Sequence, residues 1–339
     1  MSNLKLTIPQ SIKQGETIGI CTPSMPAYSI SNEVFENGLK NIEKAGFKVK
    51  LGSLTKNRAT EGYRSAGPKE RAKELMELFI DPSVKAILTT IGGMNSNSLI
   101  PYLDFEVIKR NPKIFCGYSD ITSLHLSLMK YSNLATYYGP GLMPHWSEYP
   151  DAINDSVQSF LEALEAKDRI LKPFHKWSNH SRDWQTDAWK TLPRQWNNNT
   201  GWKILNPGKV SAPILLCNLN TLMSAAGTDY FPDVQGKVLL IEEMDAPLSK
   251  EERSLRQLQL MSVFDKIDGL IMGKPENLKL EGAPFGLDDL LMEIVGERKY
   301  PIISGFDCSH TIPMHTIRQH ALISFEANGH YLDEIKVHY

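Results

Sequence analysis

The sequence is poor in cysteine, has no excess of either charge and contains no long apolar run. Its four cysteines, Cys21, Cys116, Cys217 and Cys308, stand far apart, and none belongs to a Cys-x-x-Cys pair. That excludes a zinc knuckle and a thioredoxin-type motif, and the four read as buried thiols of a reducing compartment. Lysine and arginine number 37 against 39 acidic residues, a net charge of -2. So near a balance gives no electrostatic reason to expect a nucleic-acid partner. No window of about 18 uninterrupted apolar residues occurs, so no transmembrane helix and no membrane partner are expected. The opening Met1-Ser2-Asn3-Leu4-Lys5 shows no apolar stretch behind a charged start, and the expected location is the cytoplasm. Neither a P-loop nor a Rossmann-type glycine motif is present, and no internal repeat is seen.

What is present is an ordinary globular composition, 41% hydrophobic and 22% charged over 339 residues. At roughly 150 residues per domain, that length suggests about two domains. Residues 1–170 alternate strand-like segments (17–21, 47–51, 84–91, 113–118) with helical ones (35–45, 68–79). In the first helix Leu39, Ile42 and Ala45 share a face; in the second, Ala72, Leu75, Leu78 and Phe79 do. This alternation predicts an α/β domain whose parallel sheet is covered on both faces. Ligands of such sheets lie beyond the carboxyl ends of the strands. Three loops have that position: Thr22-Pro23-Ser24, Gly92-Gly93-Met94-Asn95 and Tyr118-Ser119-Asp120. Residues 171–207 then hold five of the six tryptophans and few aliphatics, which predicts a connecting, ligand-facing or interface loop. Residues 208–339 read as a smaller mixed α+β domain. Its strands are expected at 210–216, 237–241, 270–273, 319–325 and 331–337, and its helices at 249–264 and 288–295.

The strongest local signal runs from Ile114 to Leu124. An apolar strand ends in Gly117-Tyr118-Ser119 and a helix begins at once, as in a nucleophile elbow. The free N–H groups of a helix start would stabilise an oxyanion formed by attack of Ser119. The second glycine of the elbow pattern is missing, and the plainer alternative is that Ser119 or Asp120 only caps the helix. A nucleophilic serine needs a base and an orienter. Among the nine histidines, His310, His315 and His320 follow a strand exit; His125 falls on the helix after Ser119 as a core or surface residue, and His145, His175, His180, His330 and His338 have no companion signal. The spacing of His310, His315 and His320, with Pro313 between, does not favour a metal site. An apolar strand also runs straight into Glu242-Glu243, where a carboxylate needs a partner or solvent. Gly92 and Gly93 follow another strand and would let a backbone N–H approach a substrate closely.

Taken in order, these residues resemble the serine peptidase family of LD-carboxypeptidases and microcin C immunity proteins. The likeness runs through Gly19-Ile20-Cys21-Thr22-Pro23-Ser24, Tyr63-Arg64-Ser65, Glu70-Arg71-Ala72 and Ser96-Asn97-Ser98-Leu99-Ile100-Pro101. It continues through Gly117-Tyr118-Ser119-Asp120, Tyr138-Gly139-Pro140, Asn218-Leu219-Asn220 and Phe306-Asp307-Cys308-Ser309-His310. The resemblance implies Ser119 as nucleophile, Glu242 as orienting acid and His310 as base, with Glu243 the fallback for the acid. It implies oxyanion donors at Asp120 and Gly93 and substrate contacts at Trp184, Asn95, Ser24 and Asn220, with Trp177 the alternative stacking residue. It also implies a flavodoxin-like N-terminal domain, a smaller C-terminal domain and a homodimer, with no metal and no organic cofactor.

Family members that act on murein tend to carry Arg-Gly-Gly-Tyr-Gly at the glycine loop. This sequence has Ile91-Gly92-Gly93-Met94-Asn95 instead, which is similar to the microcin C immunity branch. That branch implies peptidyl- or aminoacyl-nucleotide substrates cut at the amide-type bond. The alternatives are an LD-carboxypeptidase for murein tetrapeptides and a non-catalytic protein that sequesters nucleotide ligands. The sequence departs from the family at Leu216-Cys217, where glycines are usual, at Glu243-Met244-Asp245-Ala246-Pro247 after the acid, and in the tryptophan-rich loop.

Overall fold

The computed structural model describes residues 6–26, 30–150, 154–165, 167–179 and 182–339. They fall into two compact units. The first gathers the described residues within 1–166, 181–194 and 316–318; the second takes those within 167–180, 195–315 and 319–339.

The first unit is built on a six-stranded sheet. Its spatial order is Lys48–Leu51, Thr17–Cys21, Val84–Thr89, Ile114–Gly117, Tyr137–Tyr138 and Ile317–Arg318. The first five strands are parallel and the last is antiparallel. Read in chain order, the parallel strands run 2-1-3-4-5, the doubly wound flavodoxin-type order. Ile114–Gly117 is buried throughout, as a strand covered on both faces must be. The helix Asn32–Lys44 starts before the expected position because Ser31 caps it, its Oγ accepting from Val34 N at 3.3 Å. The helix Pro68–Ile80 opens with proline in its first turn, where no N–H is needed. Its Leu75, Leu78 and Phe79 pack with Val84, Ile87, Phe115, Leu124 and Leu128 into one core. Burial of each such side chain contributes about 1.5–3 kcal/mol.

The second unit carries a nine-stranded mixed sheet. Gly208–Asn218, Val238–Glu242, Gly269–Gly273 and Ile302–Phe306 form its parallel centre. Leu322–Ala327, Ile335–His338 and Arg169–Leu171 extend one side antiparallel; Trp202–Asn206 and Tyr331–Leu332 extend the other. The helix expected at 249–264 is Leu248–Leu260, because Ser262 turns left-handed with φ 56° and sends Val263 and Phe264 inward. Leu216 and Cys217 lie inside the strand Gly208–Asn218 and are fully buried.

The tryptophan-rich stretch differs from the expected connecting loop. It contributes Trp202–Asn206 to the large sheet, pairs Lys176–Trp177 with Asn197–Asn198, and forms the short helix Ala188–Thr191. Trp189 and Trp202 are core residues. The Trp202 indole N–H donates to the buried Asp307 carboxylate at 2.9 Å, which lets so large a polar-edged ring lie inside. His180 lies outside the described residues.

Candidate active site

In the first unit the loops after three parallel strands converge, as the sheet topology requires. Ser119 sits where Ile114–Gly117 passes into the turn Ser119–Ile121 and the helix Thr122–Ser132. Its φ is 63°, a left-handed conformation that costs a non-glycine residue roughly 1–3 kcal/mol. This is the sharp elbow expected from sequence, and it leaves Ser119 only half-buried. The strain is held from several sides. Ser119 N–H donates to the Tyr138 hydroxyl at 3.2 Å. The His125 ring bonds the Gly117 carbonyl at 2.9 Å through Nε2 and the Thr136 hydroxyl at 2.8 Å through Nδ1. Burial pushes the His125 pKa down to about 4, so this ring is a neutral brace.

Gly92 keeps one face of Ser119 clear. A Cβ added there would lie 3.0 Å from Ser119 Cβ, 3.1 Å from its Oγ and 3.4 Å from Asp120 N. The space it would fill adjoins both the hydroxyl and a helix-start N–H, where an oxyanion would form. Gly93 is a glycine for another reason: its φ is 150° and a Cβ would collide with Ser24 Oγ.

The three loops are tied by Asp120. Its Oδ2 accepts from Ser24 Oγ at 2.6 Å, Asn95 N at 3.0 Å and Ser96 N at 2.8 Å. Ser96 Oγ donates to the Asp120 carbonyl at 2.6 Å. Ser24 is therefore buried and committed to this knot, while Asn95 is half-buried at its rim. The fully buried Arg71 adds a second clamp. It donates to the Ala66 and Pro23 carbonyls at 2.8 and 2.7 Å, to Ser98 Oγ at 2.9 Å and to Asn95 Oδ1. Arg71 stood in a quoted motif, but no sequence signal assigned it this task.

The second unit holds an acid–imidazole pair. His310 Nδ1 lies 2.6 Å from Glu242 Oε2, and both side chains are buried. A carboxylate only accepts, so Nδ1 carries the proton and Nε2 is the basic nitrogen. Burial opposes the charged ring, but Glu242, with Glu276 and Glu243, outweighs it and holds the His310 pKa above its ordinary value. Gly273 permits this approach: a Cβ there would meet Glu242 Cβ at 2.7 Å and the Cys308 carbonyl at 2.9 Å. Glu243 points elsewhere. Its oxygens accept from Asn220 N at 2.9 Å, Met244 N at 3.1 Å and Asn218 Nδ2 at 3.1 Å. Asn218 Nδ2 also reaches Glu242 Oε1 at 3.2 Å, so one amide steadies both carboxylates. Asn220 thus contributes its backbone here.

The remaining expectations sort as follows. Trp184 is half-buried in the first unit, and Trp177 is half-buried in the second, with the Lys274 ammonium 5.8 Å from its ring centre. His315 is a structural residue. Its ring stacks on Phe174 at 4.2 Å and bonds the Lys172 carbonyl at 3.0 Å, and burial pushes its pKa down to about 3. Among the described residues no group of three or more His, Cys, Asp or Glu is arranged to hold a metal ion.

Residues 18–139 match the family model of the LD-carboxypeptidase N-terminal domain, and residues 211–324 match that of the C-terminal domain. The microcin C7 self-immunity protein MccF of Escherichia coli is 36% identical over 307 residues, which cover 89% of this chain and 88% of the relative. A putative carboxypeptidase of Vibrio cholerae is 35% identical over 310 residues, 90% of each. Among solved structures, MccF in complex with aspartyl sulfamoyl adenosine superposes with a TM-score of 0.91 at 33% identity, over 98% of both chains.

Proposed function

This chain belongs to the LD-carboxypeptidase family, and from that membership we propose that it is a serine hydrolase of peptidyl- or aminoacyl-nucleotides. In this reading Ser119 attacks the acyl carbon while His310 Nε2 takes its proton. Glu242 holds the Nδ1–H and stabilises the imidazolium. The N–H groups of Asp120 and Gly93 receive the oxyanion, and one such donor is worth about 2.7–4 kcal/mol. His310 returns its proton to the leaving nitrogen, and water then hydrolyses the acyl-serine. Trp184 stacks on the base, at about 1–3 kcal/mol, with Asn95, Asn220 and the Ser24 loop shaping the rest of the site. The reaction calls on no metal and no organic cofactor. We place it in the cytoplasm, in line with four cysteines that are all buried and in no disulfide. We also propose that the chain works as a homodimer.

The observation that carries the enzymatic reading is the left-handed Ser119 on its elbow, with the Gly92 face open beside it. The nucleotide part of the substrate rests on the aspartyl sulfamoyl adenosine bound by a structural neighbour. The competing substrate is a murein tetrapeptide cut at its L-to-D bond, favoured by the description of the matching family models.

The test offers an aminoacyl-sulfamoyl adenosine beside a murein tetrapeptide, each followed by mass spectrometry, with Ser119→Ala as control. Cleavage of the adenylate alone, lost in the variant, is expected. Release of terminal D-Ala alone would transfer the chain to the murein reading. Tight adenylate binding without turnover, and without labelling of Ser119 by a fluorophosphonate, would make it a sequestering protein.

A further inference from the structure

Beside Glu243 and Gly273 lies a small cavity of about 10 Å³, room for a single water. Glu243, Glu251, Glu276, Met272, Gly273 and Leu287 are among the residues that line it. Glu251 is the unusual member. It stands in the first turn of the helix Leu248–Leu260, is only 2% exposed, and its Oε2 has no hydrogen-bond partner among the described residues. The charged groups around it are mostly of its own sign. Glu243 acts on it most strongly, Glu242 also acts on it, and Glu276 comes from the loop after Gly269–Gly273; among the described residues the cation acting on it is Lys250 on its own helix. The helix Leu287–Val295 offers only Leu287 to the cavity. A buried carboxylate facing other carboxylates is unstable as an anion and takes up a proton.

We propose that Glu251 is kept as a neutral carboxylic acid and acts as a positioning residue for the Glu242–His310 pair. A neutral acid has one proton to donate, toward Glu243 through the one water the cavity can hold. Glu243 shares the Asn218 amide with Glu242, so fixing Glu243 fixes that amide and the orienting acid beyond it. Burial first, and Glu243 second, push the Glu251 pKa up to about 8. Above that pH a new negative charge would enter beside Glu243, and the donated hydrogen bond would be lost. The arrangement makes Glu251 a proton-dependent support for the base. Its link to catalysis rests on the function proposed above; its protonation and its grip on His310 do not.

The test therefore reads Glu251 and His310 without substrate, on the full chain. Infrared difference spectra between wild type and Glu251→Gln are expected to show the carbonyl band of a protonated acid at neutral pH, fading through about pH 8. The imidazole resonances of His310 are expected to show a second inflection near that pH in wild type and none in Glu251→Gln. Fluorophosphonate labelling of Ser119 adds the third reading. Glu251→Gln should match wild type at neutral pH and lose its alkaline fall, while Glu251→Leu, with no proton to donate, should slow roughly fivefold or more at neutral pH. Absence of the acid band, or a Gln variant that keeps the wild-type inflection, would overturn the proposal. So would a Leu variant that labels as fast as wild type. If the band and inflection behave as stated but nothing labels Ser119, the serine-hydrolase reading fails and the Glu251 assignment stands.

Discussion

Glu242 and Glu243 are chain neighbours with different tasks, and strand geometry separates them. Successive residues of a strand face opposite ways. Glu242, at the end of Val238–Glu242, turns to His310, and Glu243 turns to Asn218 and Asn220. The residue types at this strand exit were legible in the sequence; which of the two carries the imidazole came only from the family resemblance, because register depends on pairing with Gly208–Asn218. The pair has a pH consequence. In the proposed mechanism the base must be neutral to act, so activity is expected to fall as the pH drops through the His310 pKa, which Glu242 holds above the ordinary histidine value of about 6.5. Glu242→Gln removes the main anion and leaves burial opposed only by the weaker effects of Glu276 and Glu243. The acid limb of the rate profile should then move to lower pH while the rate plateau falls. A variant whose acid limb stayed in place would show that Glu242 does not set the charge state of His310.

At the scale of elements, the site depends on where strands stop. The strand expected at 84–91 ends at Thr89, and this frees Gly92 to lie against Ser119. Hydrophobic period shows where an apolar run begins and fades, but not the residue at which a loop lifts off, since that is decided by neighbours distant in sequence. The Asp120 knot had the same limit: Ser24, Ser96 and Asp120 belong to three separate loops. Gly92→Ala tests the elbow directly. Gly92 has no positive φ to strain, so the added methyl intrudes mainly on Ser119 and the Asp120 N–H. Labelling of Ser119 is expected to fall about 10²-fold, as for loss of one oxyanion donor, with Tm within a few degrees of wild type. Unchanged labelling would mean that the reacting oxygen does not use this face.

At the scale of the whole molecule, each unit is assembled from separated stretches of chain. Periodicity made the first four parallel strands of the first unit readable, since each is followed by a helix of its own, but not the fifth, Tyr137–Tyr138, which is only two residues long. It could not reveal that Ile317–Arg318, a two-residue strand far along the chain, closes the edge of that sheet at Tyr137–Tyr138. Nor could it show that residues 182–194 are fastened there by Arg194 to Glu148 at 2.6 Å and by Arg182 to the Tyr149 carbonyl at 3.0 Å. A fragment of residues 1–166 would therefore expose the Tyr137–Tyr138 edge and leave Glu148 without Arg182 and Arg194. It is expected to elute from gel filtration as aggregate; a folded, monodisperse fragment would refute this. For anyone recombining such proteins, the two matched family segments are thus not interchangeable cassettes. A single crossover between them hands one parent's sheet an edge strand inherited from the other, and exchanging one unit whole takes five cuts, after residues 166, 180, 194, 315 and 318.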